Sequence, residues 1–184
     1  MNFLFFDCET TGIFDGSGIP RLVQLGWAIF DEEKKECIKK EYTIIPDGFT
    51  IPDESSAIHG ISTENAKKEG YIAAFVISEF IQDLKHTDIV VAHNFEYDSR
   101  IIENEAHKQG LFFVFNYKKS FCTMKSTAHI CEIPGPYGDK WPKLIELHQH
   151  LFGMKPDFSH NALSDAITCA KCFFELRKKG LIEV

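Results

Sequence analysis

The chain has 184 residues, with 20 Lys and Arg against 27 Asp and Glu, a formal net charge of −7. That length suits one domain with its own core, and a composition of 44% hydrophobic and 26% charged residues excludes disorder, collagen and a disulfide miniprotein. No run approaches the roughly 18 apolar residues of a membrane helix, and the acidic balance argues against holding nucleic acid by bulk positive charge.

Residues 2–7 form a short apolar run closed by acids, the pattern of a strand buried on both faces in an α/β sheet. Residues 12–20 hold three Gly and a Pro and read as a loop. Residues 21–31 read as a second strand and 37–45 as a third, half-exposed one; the polar turn at 31–35 makes the pair a hairpin. After a loop at 46–52, helical pieces break at Gly60 and Gly70, with Ser62 as a start. Residues 71–85 carry an apolar helical face. Residues 88–93 read as a fourth strand, 95–109 as a helix stopped by Gly110, and 111–115 as a fifth strand. Helical segments near 122–130 and 141–152 flank a Pro/Gly-rich loop at 134–138. A long helix over 161–179 ends at Gly180. No repeat or linker interrupts the chain, so residues 1–184 are expected to form a single domain. Phe supplies 17 residues, which points to a core of large rings.

The six Cys are scattered rather than paired at zinc-ribbon spacing, which predicts reduced thiols in a cytoplasmic protein. The N-terminus lacks the basic-then-apolar order of a signal peptide. Cys169 and Cys172 fall within a helical pattern and read as helix-face packing.

Four places set acids or imidazoles against buried-looking backbone. In Asp7-Cys8-Glu9-Thr10-Thr11-Gly12, two carboxylates lie two residues apart on a strand and therefore share a face. They stand at the carboxyl end of a central strand, where open α/β sheets bind ligands. Such a pair repels itself unless a cation lies between; the bland alternative is two acids facing water. In Val91-Ala92-His93-Asn94-Phe95-Glu96-Tyr97-Asp98, a strand runs into a helix with Asn94 at its cap and Asp98 one turn in. An acid there is also favoured by the helix dipole alone. In Ser159-His160-Asn161-Ala162-Leu163-Ser164-Asp165-Ala166, Asp165 points inward among small apolar residues, a costly place for an unpaired carboxylate. His59, before Gly60, reads by itself as a turn residue. Four acids and an imidazole at strand ends and helix starts are hard oxygen donors suited to Mg²⁺ or Mn²⁺ rather than zinc. Two such ions about 3.5–4 Å apart clamp a reacting phosphodiester.

On these motifs the sequence resembles the DnaQ-like 3′–5′ exonucleases of the DEDDh branch, the family of the DNA polymerase III epsilon exonuclease domain. The resemblance spans nearly the whole chain, and Val23-Gln24-Leu25-Gly26 and Ile58-His59-Gly60-Ile61 stand in the expected order between the main motifs. It implies an α/β, RNase H-like fold: a five-stranded mixed sheet, second strand antiparallel, with helices on both faces. It implies two divalent cations held by Asp7, Glu9, Asp98 and Asp165, with His160 as general base. Thr10, Thr11, His59, Asn94 and Phe95 are the implied substrate contacts. The implied substrate is the 3′ end of single-stranded DNA or RNA, released as nucleoside 5′-monophosphates. A homodimer and association with a polymerase enter as candidate partnerships; no polymerase-tethering segment is visible after Val184.

Two features depart from a compact family member. The loop at 13–20 is long and reads as a lid or an exposed excursion. Lysines at 118, 119, 125, 140, 143 and 155 gather ahead of the third motif and are candidates to line the strand's approach, or a solvated face. Two other readings stay open: a catalytically inactive binding module on the same fold, and a hydrolase of dinucleotides or small phosphodiesters.

Overall fold

The computed structural model describes residues 1–16, 18–157 and 160–184. The chain order is β1 (Asn2–Thr10), β2 (Leu22–Asp31), β3 (Glu36–Thr43), α1 (Asp53–His59), α2 (Thr63–Glu69), α3 (Ala73–Lys85), β4 (Ile89–Ala92) and α4 (Phe95–Lys108). It continues through β5 (Lys119–Cys122), α5 (Thr123–Ser126), α6 (Ala128–Cys131), a ribbon of β6 (Pro134–Gly135) and β7 (Gly138–Asp139), α7 (Leu144–Phe152) and α8 (Ala162–Lys178). The sheet order is β3-β2-β1-β4-β5. β1 runs antiparallel to β2 and parallel to β4, and β4 is parallel to β5. This is the expected five-stranded mixed sheet with its second strand antiparallel.

β1 is central because it is apolar on both faces. Phe3, Leu4, Phe5 and Phe6 are all fully buried. Leu4 and Phe6 face the layer of α3 and α4, with Val76, Phe80, Ile101 and Ile102. Phe3 and Phe5 face α8, against Ala166, Cys169, Phe173 and Phe174. α7 backs α8 through Leu147, Cys172 and Leu176. The two predicted helix-face cysteines are therefore buried packing residues. Strand alternation then aims Asp7 and Glu9 at the α8 face, two and four residues past Phe5.

The fifth strand is Lys119–Cys122 and not 111–115. Phe113 and Phe115 look like a strand's apolar positions, but they serve a ring cluster instead. Their centroids lie 4.9 Å apart, and Phe115 stacks 5.4 Å from Phe6. The Phe115 N–H goes to Glu103 Oε1 at 2.7 Å, and Phe115–Tyr117 form a short 3-10 turn. The edge strand that pairs with β4 reads Lys-Ser-Phe-Cys; an edge needs few apolar residues. The helical stretch at 122–130 is two short helices, and the 134–138 loop closes as the β6–β7 ribbon.

The loop after β1 is tied at its base. The Thr11 N–H donates to Arg21 O at 3.0 Å, and the Arg21 N–H donates to Thr11 Oγ1 at 2.9 Å. Arg21 is bidentate to the buried Glu105 of α4, at 3.0 Å for both bonds. Phe14 rests on Tyr97 at 5.0 Å with the Arg100 guanidinium 4.6 Å above it. This start of the loop is docked on α4; Ser17 lies outside the described residues. No helix among the described residues is long and apolar enough to cross a membrane.

Phe173 lies 5.3 Å from both Phe3 and Phe5 and 5.5 Å from Phe121, so it locks α8 to the sheet. Phe173→Ala is expected to lower the unfolding free energy by about 3–5 kcal/mol in urea. A loss below about 1 kcal/mol would contradict a tightly packed α8 face.

Candidate active site

The acids of the first and third motifs converge. Oxygens of Asp7 and Glu9 on β1 and Asp165 on α8 all lie within 4.8 Å of one another. The electrostatic consequence is uniform in direction. Asp7 is pushed well above the usual carboxylate range by burial and then by the charges of Asp98, Asp165 and Glu9. Glu9 is pushed up to about 7 by burial, then by Asp165 and Glu41. Asp165 is also raised by burial, and the His160 N–H, donating to its Oδ2 at 2.9 Å, draws it partly back.

Asp98 reaches the cluster from the other side. β4 pairs with β1 only as far as Phe5 with Val91, so from Phe6 onward β1 keeps only its β2 partner and the first turns of α4 fill the vacated flank. Asp98 is 3% exposed. Burial and then the charge of Glu9 raise its pKa, against the pull of the Cys8 backbone and thiol. Its oxygens stand outside the 4.8 Å group, yet among neighbouring charges it acts most strongly on Asp7. Three of the four predicted ligands thus form one oxygen cluster, and the fourth adjoins it. Hard oxygens without sulfur or imidazole suit an octahedral Mg²⁺ or Mn²⁺.

His160 sits just before α8 at φ 64°, in the left-handed region, exposed and next to the acids. Its neighbour in the motif, Ser159, lies outside the described residues. Beside the acids opens a cleft of about 450 Å³ whose lining includes Glu9, Thr10, Ile58, His59, Asn94 and Tyr97. Of the predicted substrate contacts, Thr10, His59 and Asn94 are on it. Thr11 and Phe95 are not among its lining residues. Thr11 spends its hydroxyl on closing the loop, and Phe95 turns into the core, 5.9 Å from Phe6 and 5.4 Å from Phe115.

Asn94 holds the position before α4, but in a left-handed conformation (φ 79°) and without a side-chain cap bond. Its amide is therefore not committed to capping. His59 accepts the Ile61 N–H on Nδ1 at 3.1 Å, so its proton is on Nε2. That Nε2 is buried with no hydrogen-bond partner among the described residues. Burial holds the imidazole below its ordinary pKa, with the His160 charge adding to this and the Thr10 carbonyl opposing it.

Sequence reading passed over Tyr97. Its hydroxyl donates to the Gly12 carbonyl at 2.5 Å and lies 2.8 Å from Thr10 Oγ1, tying the first motif to the second. The signal was its place three residues after Asn94, on the same helix face. His93, inside the same motif, is structural. It bridges Thr123 Oγ1 and the Pro142 carbonyl at 2.9 Å each, and burial pushes it down to about 4. Three of the six lysines ahead of the third motif have partners within the protein. Lys118 donates to the Thr87 carbonyl at the opposite end of the sheet, Lys125 pairs with Glu96, and Lys140 pairs with Glu146.

Residues 4–173 match the family described as Exonuclease (RNase_T). CP81, an uncharacterized exonuclease of Escherichia phage 186, is 30% identical over 168 residues, 88% of this chain and 81% of its own. The 3′-5′ exonuclease DinG of Bacillus subtilis (strain 168) is 27% identical over 177 residues, 96% of this chain but 18% of DinG. E. coli exonuclease I, solved with a dA16 oligonucleotide, shares the fold at a TM-score of 0.77 and 16% identity, over 98% of this chain and 42% of its own. The nuclease domain of 3′hExo, a DEDDh family member solved with rAMP, superposes with a TM-score of 0.78 at 15% identity, over 98% of this chain and 93% of its own. The chain thus spans less than half of exonuclease I and under a fifth of DinG.

The crowded acids make stability depend on pH. Each has a folded-state pKa raised above its unfolded value, so its contribution is fully present below the unfolded value and is lost as pH rises through the folded one. For Glu9 that window runs from about 4.5 to about 7. In EDTA the melting temperature is expected to fall by about 5 °C or more between pH 5 and pH 7.5. Excess Mn²⁺ should flatten the profile. A flat profile in EDTA would contradict the crowding.

Proposed function

The chain belongs to the exonuclease family, and on that premise we propose that it is a 3′–5′ exonuclease of the DEDDh type. Its substrate is the 3′ end of single-stranded DNA or RNA and its products are nucleoside 5′-monophosphates. The observation that carries this reading is the three-carboxylate cluster with His160 at the head of the same helix, beside a cleft of one-nucleotide size.

Asp7, Glu9, Asp98 and Asp165 are the residues that would hold two divalent cations, Mg²⁺ or Mn²⁺. When bound, such ions supply positive charge to the scissile phosphate and acidify water. The protein's own groups do the rest. His160 takes the proton of the attacking water as the water oxygen bonds to phosphorus and the P–O3′ bond breaks. The departing O3′ takes a proton from a solvent water, His160 returns its own proton to solvent, and the released nucleotide keeps the 5′-phosphate. Asp165 holds the His160 backbone at 2.9 Å, so base and ligand are set by one turn of chain. In the cleft, the Asn94 amide, not used as a cap, offers the nucleotide both a donor and an acceptor, and His59 on the same wall is a further contact. Tyr97 and Thr10 hold the Gly12 carbonyl and so keep the cleft wall in place.

The net charge fits a substrate gripped at its end. Four of the acids serve the cations, and Lys125 and Lys140 are each engaged by an acid, Glu96 and Glu146, which makes them less available to a long phosphate backbone. This favours short single-stranded ends and predicts weak binding without cations.

Asp7→Ala and Asp165→Ala are each expected to abolish EDTA-sensitive mononucleotide release from a labelled oligonucleotide. His160→Ala should lower turnover by about 10²- to 10⁴-fold while Mn²⁺ still binds. Activity retained in either Asp variant would refute the mechanism; equal loss of turnover and Mn²⁺ binding in His160→Ala would make His160 structural.

A further inference from the structure

The residues opposite the acids on the neighbouring strand have work of their own. The β1–β2 register sets Asp7 against Gly26 and Glu9 against Gln24. Cross-strand partners share a face, so Gly26 and Gln24 look toward α8. At Gly26 an added Cβ would lie 2.2 Å from the Leu163 nitrogen and 2.5 Å from the Ala162 carbonyl carbon. Helix backbone occupies the room a side chain would need, and only glycine lets the helix come this close.

Gln24 then meets the end of that helix. It is 6% exposed. Its Oε1 accepts the Ala162 N–H at 3.0 Å and lies 3.4 Å from Asn161 Nδ2, while its Nε2 donates to Thr43 Oγ1 at 3.5 Å. The amide is thereby oriented with oxygen toward the helix. The free N–H groups of the first turn are shared out: Ala162 to Gln24, Leu163 to Glu41 Oε2 at 3.3 Å, Ser164 to the cap Asn161 at 3.0 Å. Asn161 is an ordinary N-cap on the helix itself. Gln24 and Glu41 come from the sheet and therefore also fix where the helix end lies relative to β1. That turn carries Asp165, and the Asp165 carboxylate in turn holds the backbone of His160 in a left-handed conformation that a non-glycine residue does not adopt freely.

We infer that Gln24 is a positioning residue for the exonuclease reaction. Seated beside Glu9 and next to the gap left by Gly26, it sets the rotation and advance of the first turn of α8. It thereby sets the spacing of Asp165 from Asp7 and Glu9 and the placement of His160. The inference rests on the exonuclease reading of the site. It separates Gln24 from a simple helix cap, which would contribute stability and leave the folded site unchanged.

The test compares Gln24→Met, which keeps the size and loses the acceptor, with Gln24→Glu, which keeps an acceptor. Three quantities are read well below the melting temperature: amide exchange at Ala162 in metal-free protein, Mn²⁺ affinity by calorimetry, and kcat and KM on a labelled single-stranded oligonucleotide. Gln24→Met should speed Ala162 exchange about fivefold or more, the factor of one lost cap bond. It should also weaken Mn²⁺ binding and lower kcat, each by about tenfold, with KM within about twofold. Gln24→Glu should restore exchange protection and bring kcat back to within about threefold. If Gln24→Met does not fold, Thr43→Val, which only releases the amide, should shift the same quantities in the same direction to a lesser degree. A folded Gln24→Met with lowered melting temperature but wild-type Mn²⁺ affinity and kcat would overturn the inference, as would a folded Thr43→Val that leaves all three quantities unchanged. If the wild-type protein released no nucleotide, the exonuclease reading would fail instead, while exchange and Mn²⁺ affinity would still decide what Gln24 does.

Discussion

Carboxylates crowded into one corner repel one another, and the rest of the architecture is what makes that crowding persist. Asp7, Glu9 and Asp165 would move apart if the chain allowed it. It does not, because each is attached to something that cannot yield. Asp7 and Glu9 extend a strand whose preceding residues are fully buried on both faces. Asp165 sits on a helix clamped to that strand by Phe173 and Phe174 and abutting the sheet at Gly26. Asp98 is brought into the gap where β4 ends before β1 does. The repulsion is stored in a rigid frame, and a cation bound among these oxygens, as proposed above, would convert it into binding energy.

Three imidazoles show how the same frame assigns different work. His93 is half-buried between Thr123 and Pro142 and stays neutral, a structural tie between the second motif and the chain after the β6–β7 ribbon. His59 is fixed in one tautomer by the Ile61 N–H and lines the cleft, with its remaining donor buried. His160 is exposed, and its backbone N–H donates to Asp165. Of the three, it is the exposed one, which is why the proposed mechanism assigns it the role of general base.

The sheet and the acids were legible because their signals are local. An apolar run ending in Asp-x-Glu carries both the burial and the shared face within a few residues, and strand alternation does the rest. What the sequence concealed depends on partners far along the chain. Phe113 and Phe115 look like a strand because ring packing against Phe6 and Phe80 uses the same spacing of apolar residues. The true edge strand is too polar to announce itself. Thr11 and Phe95 sit inside recognisable motifs, yet their side chains answer to Arg21 and to the core. Gln24 and Gly26 lie more than 130 residues from the helix they seat, and a polar residue and a glycine in a strand are weak signals until the register sets them opposite the acids.

The central claim is that this crowded corner removes nucleotides one at a time from a 3′ end with the help of divalent cations. The most direct measurement follows a single-stranded oligonucleotide labelled at its 5′ end on a sequencing gel, with Mn²⁺ or Mg²⁺ and with EDTA. The account predicts a ladder that shortens by single nucleotides in the presence of the cation and an intact strand in EDTA. Immediate release of the 5′-terminal nucleotide, internal cleavage products, or shortening that persists in EDTA would contradict it.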